Sequence, residues 1–315
     1  VTQLPTVLVP RAGDRGLGTT DRDRLAASVS QSWALFTAMV DGVDLDAPAR
    51  AKGLTAREVV IPLGAWDDNR PLARLLDDAR RGVVGDHDQG ALVDAVRAAH
   101  AHEHDSAIRD ALRRQGEDME TFLYGDRLEE YADSPVASML GTLPLLTFLH
   151  AATYPLATSA LDLERAGAVV PDALLDNGLL GLADTVGALA ARAGLTVSIA
   201  AITPSVVVGT GARDGAWRTA LIDPDGLDDA LPGAVGPSVR GTARLLLDVV
   251  AGRADVTTAA RRRELGVHDV PGLMALAPVV EQVPGIPGRT ALIAAIRATT
   301  ALGSVLRMLP FGRSR

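Results

Sequence analysis

A mainly helical α+β fold is predicted for this chain by three features of its sequence. Hydrophobic residues make up 47% of it and aromatics only 3%, so a core must come chiefly from Ala, Val and Leu, a composition suited to packed helices. Up to about Gly194 the apolar residues recur at helical spacing, whereas from Leu195 to Ile222 they alternate and are rich in β-branched types. Helical spacing returns after Gly241. Helices, then strands, then helices imply two segregated units rather than an alternating α/β sheet, and a length of 315 residues favours two domains over one.

Taken in order, residues 1–18 contain Pro5, Pro10, Gly13, Gly16 and Gly18 and read as an irregular arm. Thr20 or Asp21 caps a first helix with Leu25, Val29, Trp33, Phe36 and Val40 on its apolar face, ending near Gly42. Thr55 and Glu58 form a T-x-x-E capping box that opens a second helix, read as carrying Trp66, Arg70, Leu72 and Leu75 toward a stop at Arg80–Gly82. Pro62 falls inside it and demands a kink, because proline lacks the backbone donor and clashes with the preceding turn. A third helical region spans about Gln89 to Arg114, with Leu92, Val93, Val96, Ala99, Ile108 and Leu112 as core candidates. A fourth runs from about Ser138 to Leu163, interrupted by Pro144 and Pro155.

Pro171 and Asp172 open a fifth helix that Gly194 closes. Beyond it, LTVSIAAITPSVVVGTG and AWRTALID read as a hairpin around a GARDG turn, followed by a helix in GTARLLLDVVAGRADV. VPGIPG is a linker signal, and residues 286–315 read as a basic amphipathic helix with Arg289, Arg297, Arg307, Arg313 and Arg315. That helix suits docking on its own protein or a partner subunit better than a peripheral membrane contact. The layout expected is an arm at 1–18, a bundle at 19–194, a small α+β domain at 195–285 and the terminal helix.

A net charge of −8 and a pI near 5.3 argue against nucleic acid as a partner. Absence of cysteine excludes a disulfide framework, a thiolate nucleophile and Cys-ligated metal, so any thiol chemistry would need an external thiol. Lys52 is the one lysine among many arginines, so individual arginines carry little functional weight. The N-terminal apolar run lacks a preceding basic region and a clear cleavage site, and no apolar run free of charge is expected to reach the roughly 18 residues of a spanning helix. A soluble cytoplasmic protein is the expectation.

The stretch Gly53–Leu63, GLTAREVVIPL, and the string Ser159–Leu163, SALDL, resemble two signature segments of the mycothiol-dependent maleylpyruvate isomerase family. A D-G-x-W strand, Asp214–Trp217, and an L-L-L-x-x-x-x-G-R helix, Leu245–Arg253, are similar to the sterol-carrier-like domain that follows the bundle in that family. The resemblance implies a DinB-like four-helix bundle, a sterol-carrier-like second domain, and a divalent metal held by one histidine from the second helix and a Glu-x-x-x-His pair from the fourth. Matched residue by residue, those three ligand positions hold Pro62, Pro155 and Ser159. Two imino acids cannot ligate and a neutral hydroxyl ligates poorly, so the resemblance implies a vacated metal centre.

Several other residues are candidates with bland readings beside them. His100 and His104, within AHAHEHD, are read as sharing a helical face and are the alternative ligands for zinc or nickel, although a solvated helix face is the stronger reading. His150 and Tyr154, one turn apart, and Trp66 and Arg70 are candidates to line the bundle pocket; ordinary core packing and surface ion pairing account for them too. Ser159 and His150 lack an acidic orienter and do not make a nucleophile pair. The glycine strings RAGDRGLG and VVVGTGARDG lack a P-loop lysine.

The function expected is therefore a degenerate isomerase-like protein acting as a small-molecule-binding or interaction module, with no cofactor. The alternative is an active mycothiol-dependent isomerase or transferase using non-standard ligands among His100, His104 and His150. A third reading places an apolar ligand between the sheet and helices of the second unit.

Overall fold

Side-chain caps mark the starts of the two helices that open the bundle, at Asp21 and Thr55. The computed structural model describes residues 6–84, 89–222 and 236–282; the predicted linker at 283–288 and terminal helix at 286–315 lie outside them. After a short 3-10 turn at Thr6–Leu8 and a single helical turn α1 (Leu17–Thr20), Asp21 caps α2 (Arg22–Val40) by accepting from the Arg24 backbone N–H. Leu25, Val29, Trp33, Phe36 and Val40 are all buried, in keeping with their spacing.

Thr55 and Glu58 form the reciprocal capping box of α3 (Ala56–Val60). The helix does not continue to Gly82. It tightens into a 3-10 turn at Ile61–Leu63, where Pro62 sits in the first positions and so loses no hydrogen bond, and Gly64 then turns the chain to extended backbone. Trp66 and Asn69 pair across a tight loop, and Pro71 restarts the chain as α4 (Pro71–Arg81), closed by Gly82. Trp66 and Arg70 are thus loop residues, not members of the capped helix.

The predicted third helix is likewise two, α5 (Gln89–Ala99) and α6 (Asp105–Leu123), separated by the His100–His104 segment. Ala99 is exposed, whereas Val96, Ile108 and Leu112 are buried. α7 (Leu128–Tyr131) leads to a two-stranded ladder, β1 (Pro135–Val136) with β2 (Leu143–Pro144). The predicted fourth helix starts only after it, as α8 (Leu145–Ala151) and α9 (Thr153–Asp162), because Pro144 confines Leu143 before it to extended backbone.

Pro171 precedes α10 (Asp172–Arg192), which ends as expected at Gly194. This helix packs on α8 and α9 with one side and on the sheet with the other. It is long and apolar enough to cross a membrane by composition, but 67% of its most apolar stretch is buried within the fold, which marks it as the central core helix.

The predicted hairpin is a three-stranded meander. Thr203–Val206 breaks its first half into β3 (Val197–Ile202) and β4 (Val207–Arg213), and Asp214 and Gly215, both at positive φ, turn β4 into β5 (Ala216–Ile222). β6 (Ser238–Arg240) joins β3 in parallel; α11 (Ala243–Val250) and α12 (Val256–Arg261) come next, and β7 (Gly266–His268) completes the order β5-β4-β3-β6-β7. α13 (Val270–Met274) and α14 (Ala277–Gln282) close the described chain. Leu246, Leu247 and Val249 of α11 belong to the same apolar core as α2, α6, α8 and α9, so the largest core runs across the Gly194 boundary.

Thr210 and Trp217 on the inner face of the sheet lie against Gly187 of α10. On the outer face Ile202, Val207 and Ile222 form a separate small apolar cluster with Val7. Leu8, 1% exposed, seats over Gly209 and Gly211; a Cβ on Gly211 would collide with the Leu8 carbonyl oxygen. Seating that side chain is worth about 1.5–3 kcal/mol, while fixing each backbone residue of the strap costs about 1–2 kcal/mol. Replacing Thr55 by alanine removes the cap of α3 and is expected to cost about 1 kcal/mol, read as a lower urea midpoint at unchanged slope.

Candidate functional site

Two polar clusters, one fully buried and one half-buried, join the elements of the fold. The first centres on Asp184, fully buried in α10. Its Oδ1 accepts from Thr219 Oγ1 at 2.7 Å, Trp217 Nε1 at 3.1 Å and the Leu17 backbone N–H at 3.4 Å; its Oδ2 accepts from His150 Nδ1 at 2.9 Å. His150, on α8, is also fully buried, and its Nε2 has no hydrogen-bond partner among the described residues. Gly16 lies so close that any Cβ there would strike the Asp184 carboxylate and the Trp217 ring nitrogen, so glycine is required where the arm crosses the cluster. A carboxylate with four donors is well compensated for its loss of water. Chemically the cluster is a pin, since neither His150 nor Asp184 reaches solvent.

The second cluster joins the end of α9 to α11. Asp162 Oδ2 accepts from Arg253 at 2.8 Å, and Arg253 also donates to the Thr158 carbonyl at 3.2 Å. Arg50 makes a bidentate pair with Asp248, one bond of 3.1 Å, and its backbone N–H donates to the Asp162 carbonyl at 2.7 Å. Arg244 pairs with Glu164. Burial pushes the Asp162 carboxyl above its ordinary range against the opposing pull of Arg253 and Arg50; its Oδ1 is buried without a hydrogen-bond partner among the described residues. Tyr154, next to this network, is pushed up to about 12 by burial, partly offset by Arg253.

The four pocket candidates are engaged by separate partners. Trp66 donates to the Ile61 carbonyl at 3.0 Å and stacks on the His100 ring at 3.9 Å, with the planes 9° apart. Arg70 forms a bidentate pair with Asp118 of α6. His150 belongs to the Asp184 cluster and Tyr154 to the Asp162 network. Of the three positions matched to the family ligands, Pro62 and Ser159 are half-buried and Pro155 is exposed. α3 does pack against α9 and the turn after it.

His100 and His104 share no helix, a correction forced by the break between α5 and α6: His100 turns inward onto Trp66, and His104 is the exposed residue preceding α6. His102, Glu103, His104, Asp105 and Ser106 line an open groove of about 690 Å³ with Arg57, whose guanidinium is bound by Asp46, Asp105 and the Glu103 carbonyl. Among the described residues no group of three or more His, Asp or Glu side chains is placed to hold a metal ion. Between α10 and β3–β4, beneath Leu276, the crevice leaves no volume that a water molecule could occupy.

No family model and no curated protein sequence matches the chain. Two solved structures are similar to it: the mycothiol-dependent maleylpyruvate isomerase and a histidine-to-alanine mutant of that enzyme. Each is 15% identical, covers 82% of this chain and 96% of its own, and superposes with a TM-score of 0.49.

Sequence reasoning missed Asp184, Asp162, Asp248, Arg50 and Arg253. Asp184 carried a usable signal, a lone acid on the apolar face of a long apolar helix. The Arg50–Asp248 pair carried none, because its members stand 198 residues apart.

Replacing Asp184 by alanine strands four donors in the interior and is expected to cost about 3–5 kcal/mol in denaturant unfolding, with His150→Phe costing less because three donors to Asp184 remain. The raised Asp162 carboxyl means that the folded chain holds this proton more tightly than the unfolded chain. Its stabilising contribution is therefore complete below the unfolded value and lost as pH rises through the folded one. Melting temperatures of the native chain relative to Asp162→Asn should fall as pH is raised from about 4 through that interval.

Proposed function

We propose that this chain is a metal-independent binding module built on an isomerase-like architecture. The observation that carries the reading is the environment of α9. Where the family resemblance implies a Glu-x-x-x-His pair, the chain has Pro155 and Ser159. The next carboxylate along, Asp162, is bound by Arg253 and lies 3.9 Å from Arg50 Nε. Two guanidinium groups beside the carboxylate at that end of α9 oppose a divalent cation electrostatically, and Arg253 already donates to its Oδ2. The small-molecule or protein partner of such a module is recognised by its surface and grooves, not by a Lewis-acidic centre.

The alternative of a mycothiol-dependent metalloenzyme with non-standard ligands would draw them from among His100, His104 and His150. Stacking of His100 on Trp66 and the bond of His150 to Asp184 count against it. Elemental analysis of chain purified from zinc- and nickel-supplemented cells, combined with melting in the presence of a chelator, tests the proposal. Metal well below one ion per chain and an unchanged melting temperature are expected. Stoichiometric zinc or nickel whose removal lowers the melting temperature would overturn it.

A further inference from the structure

We propose that the loop 137–142 and the exposed side of α13 form a docking face for the arginine-rich segment 289–315 of this same chain. The inference goes beyond the metal-independent reading and stands whichever way that reading falls. Among the described residues six large apolar side chains are exposed, and two of them, Met139 and Met274, lie on segments that share one apolar cluster. Leu140 and Leu143 beside the first, and Leu273, Leu276 and Val279 around and after the second, pack with residues 188–191 at the end of α10. The chain leaves the described fold at the same place. α14 ends at Gln282, three residues after Val279 has joined that cluster. The six residues 283–288 span at most about 20 Å when fully extended, so the arginine-rich segment begins beside the two methionines.

Charge complementarity selects the occupant. The chain carries a net −8, yet residues 283–315 hold five arginines and no Asp or Glu. Along α7 and toward β1, Asp126, Glu129, Glu130 and Asp133 are exposed. Glu129 binds Arg22, whereas the side chains of Asp126, Glu130 and Asp133 have no hydrogen-bond or ion-pair partner among the described residues. The cations nearest along the chain are engaged elsewhere, Arg127 over the Tyr131 ring and Arg192 on the Thr142 carbonyl at 3.1 Å. Asp133 stands two residues before β1, whose pairing with β2 holds the loop 137–142, so unneutralised carboxylates border the exposed Met139. In the segment itself Leu302, Val305, Leu306 and Leu309 recur at helical spacing, with Arg297 before them and Arg307 among them. Such a segment offers an apolar face to the methionines, whose unbranched side chains adapt to a partner, and guanidinium groups to the carboxylates. Tethering by a short linker gives it a local concentration on the order of millimolar, against which a second copy or an anionic bilayer must compete.

Hydrogen–deuterium exchange of the full chain, read by mass spectrometry, tests the site. Residues 289–309 are expected to exchange more slowly than a free peptide of the same sequence, and equally so at every protein concentration. Glu130→Arg with Asp133→Arg turns attraction into repulsion and is expected to speed that exchange on the order of tenfold or more. Adding Arg297→Glu and Arg307→Glu should restore the protection. Met139→Ser with Met274→Ser, both at exposed positions, is expected to give the same acceleration through lost apolar contact, and keeps the test decisive should the charge reversal disturb folding. No protection in the native chain, unchanged exchange in either folded double variant, or no recovery on reversing both partners overturns the proposal. Protection that grows with protein concentration alongside a dimer in light scattering, or that appears only with phosphatidylglycerol vesicles, assigns the segment to a second copy or to a bilayer and equally overturns the intramolecular site.

Discussion

A single buried carboxylate organises the molecule. Asp184 receives donors from the arm before α2, from α8 and from two positions of β5, and so ties a helical bundle, a central helix and a sheet to one point. A carboxylate in an apolar interior is costly unless its lone pairs are filled, and here the filling requires all of those elements to be in register. The apolar packing around it is forgiving of small shifts, whereas hydrogen bonds of 2.7–3.4 Å are not. That difference gives the Ala- and Leu-rich core a specific arrangement that its side chains alone would not select.

The Asp162 network does comparable work at the opposite seam. Arg253 and Arg50 bind α11 and the turn beyond it to the end of α9, and the apolar core continues beneath them through Leu246, Leu247 and Val249. Three arginines face Asp162, Glu164 and Asp248, so the seam carries charge without net excess. His150 and Arg70, singled out along the chain, each join two elements in space, His150 to Asp184 of α10 and Arg70 to Asp118 of α6. Trp66 and His100 illustrate the same point, since their stacking fixes the break after Pro62 to the loop between α5 and α6.

The departures from the sequence-based expectations share one physical origin. Pro62, Pro144 and Pro155 each signal an interruption, but the course the chain takes at a proline depends on whether its neighbours have another place to go. After Pro62 the extended Gly64 and the restart at Pro71 make a break cheaper than a kink. Before Pro144 the chain finds a strand partner in Pro135–Val136 and abandons the helix. Within α9, Pro155 lies in the first turn, where its missing donor has no partner to lose, and the helix continues through it.

By itself the sequence determined the local events: a cap at Thr20 or Asp21, the Thr55 cap, the Gly194 stop, the turn at Asp214–Gly215, and the buried face of α2. Each is settled by groups a few residues apart, whose geometry is fixed by the backbone. Only the tertiary structure decided which polar residues matter. The partners of Asp184 lie 33 to 167 residues away in the chain, and those of Arg50 and Arg253 lie 91 to 198 away. Whether a carboxylate, an imidazole or a guanidinium is a ligand, a base or a fastener depends on desolvation and on the charges beside it, and those are set by elements that meet only when the chain is folded.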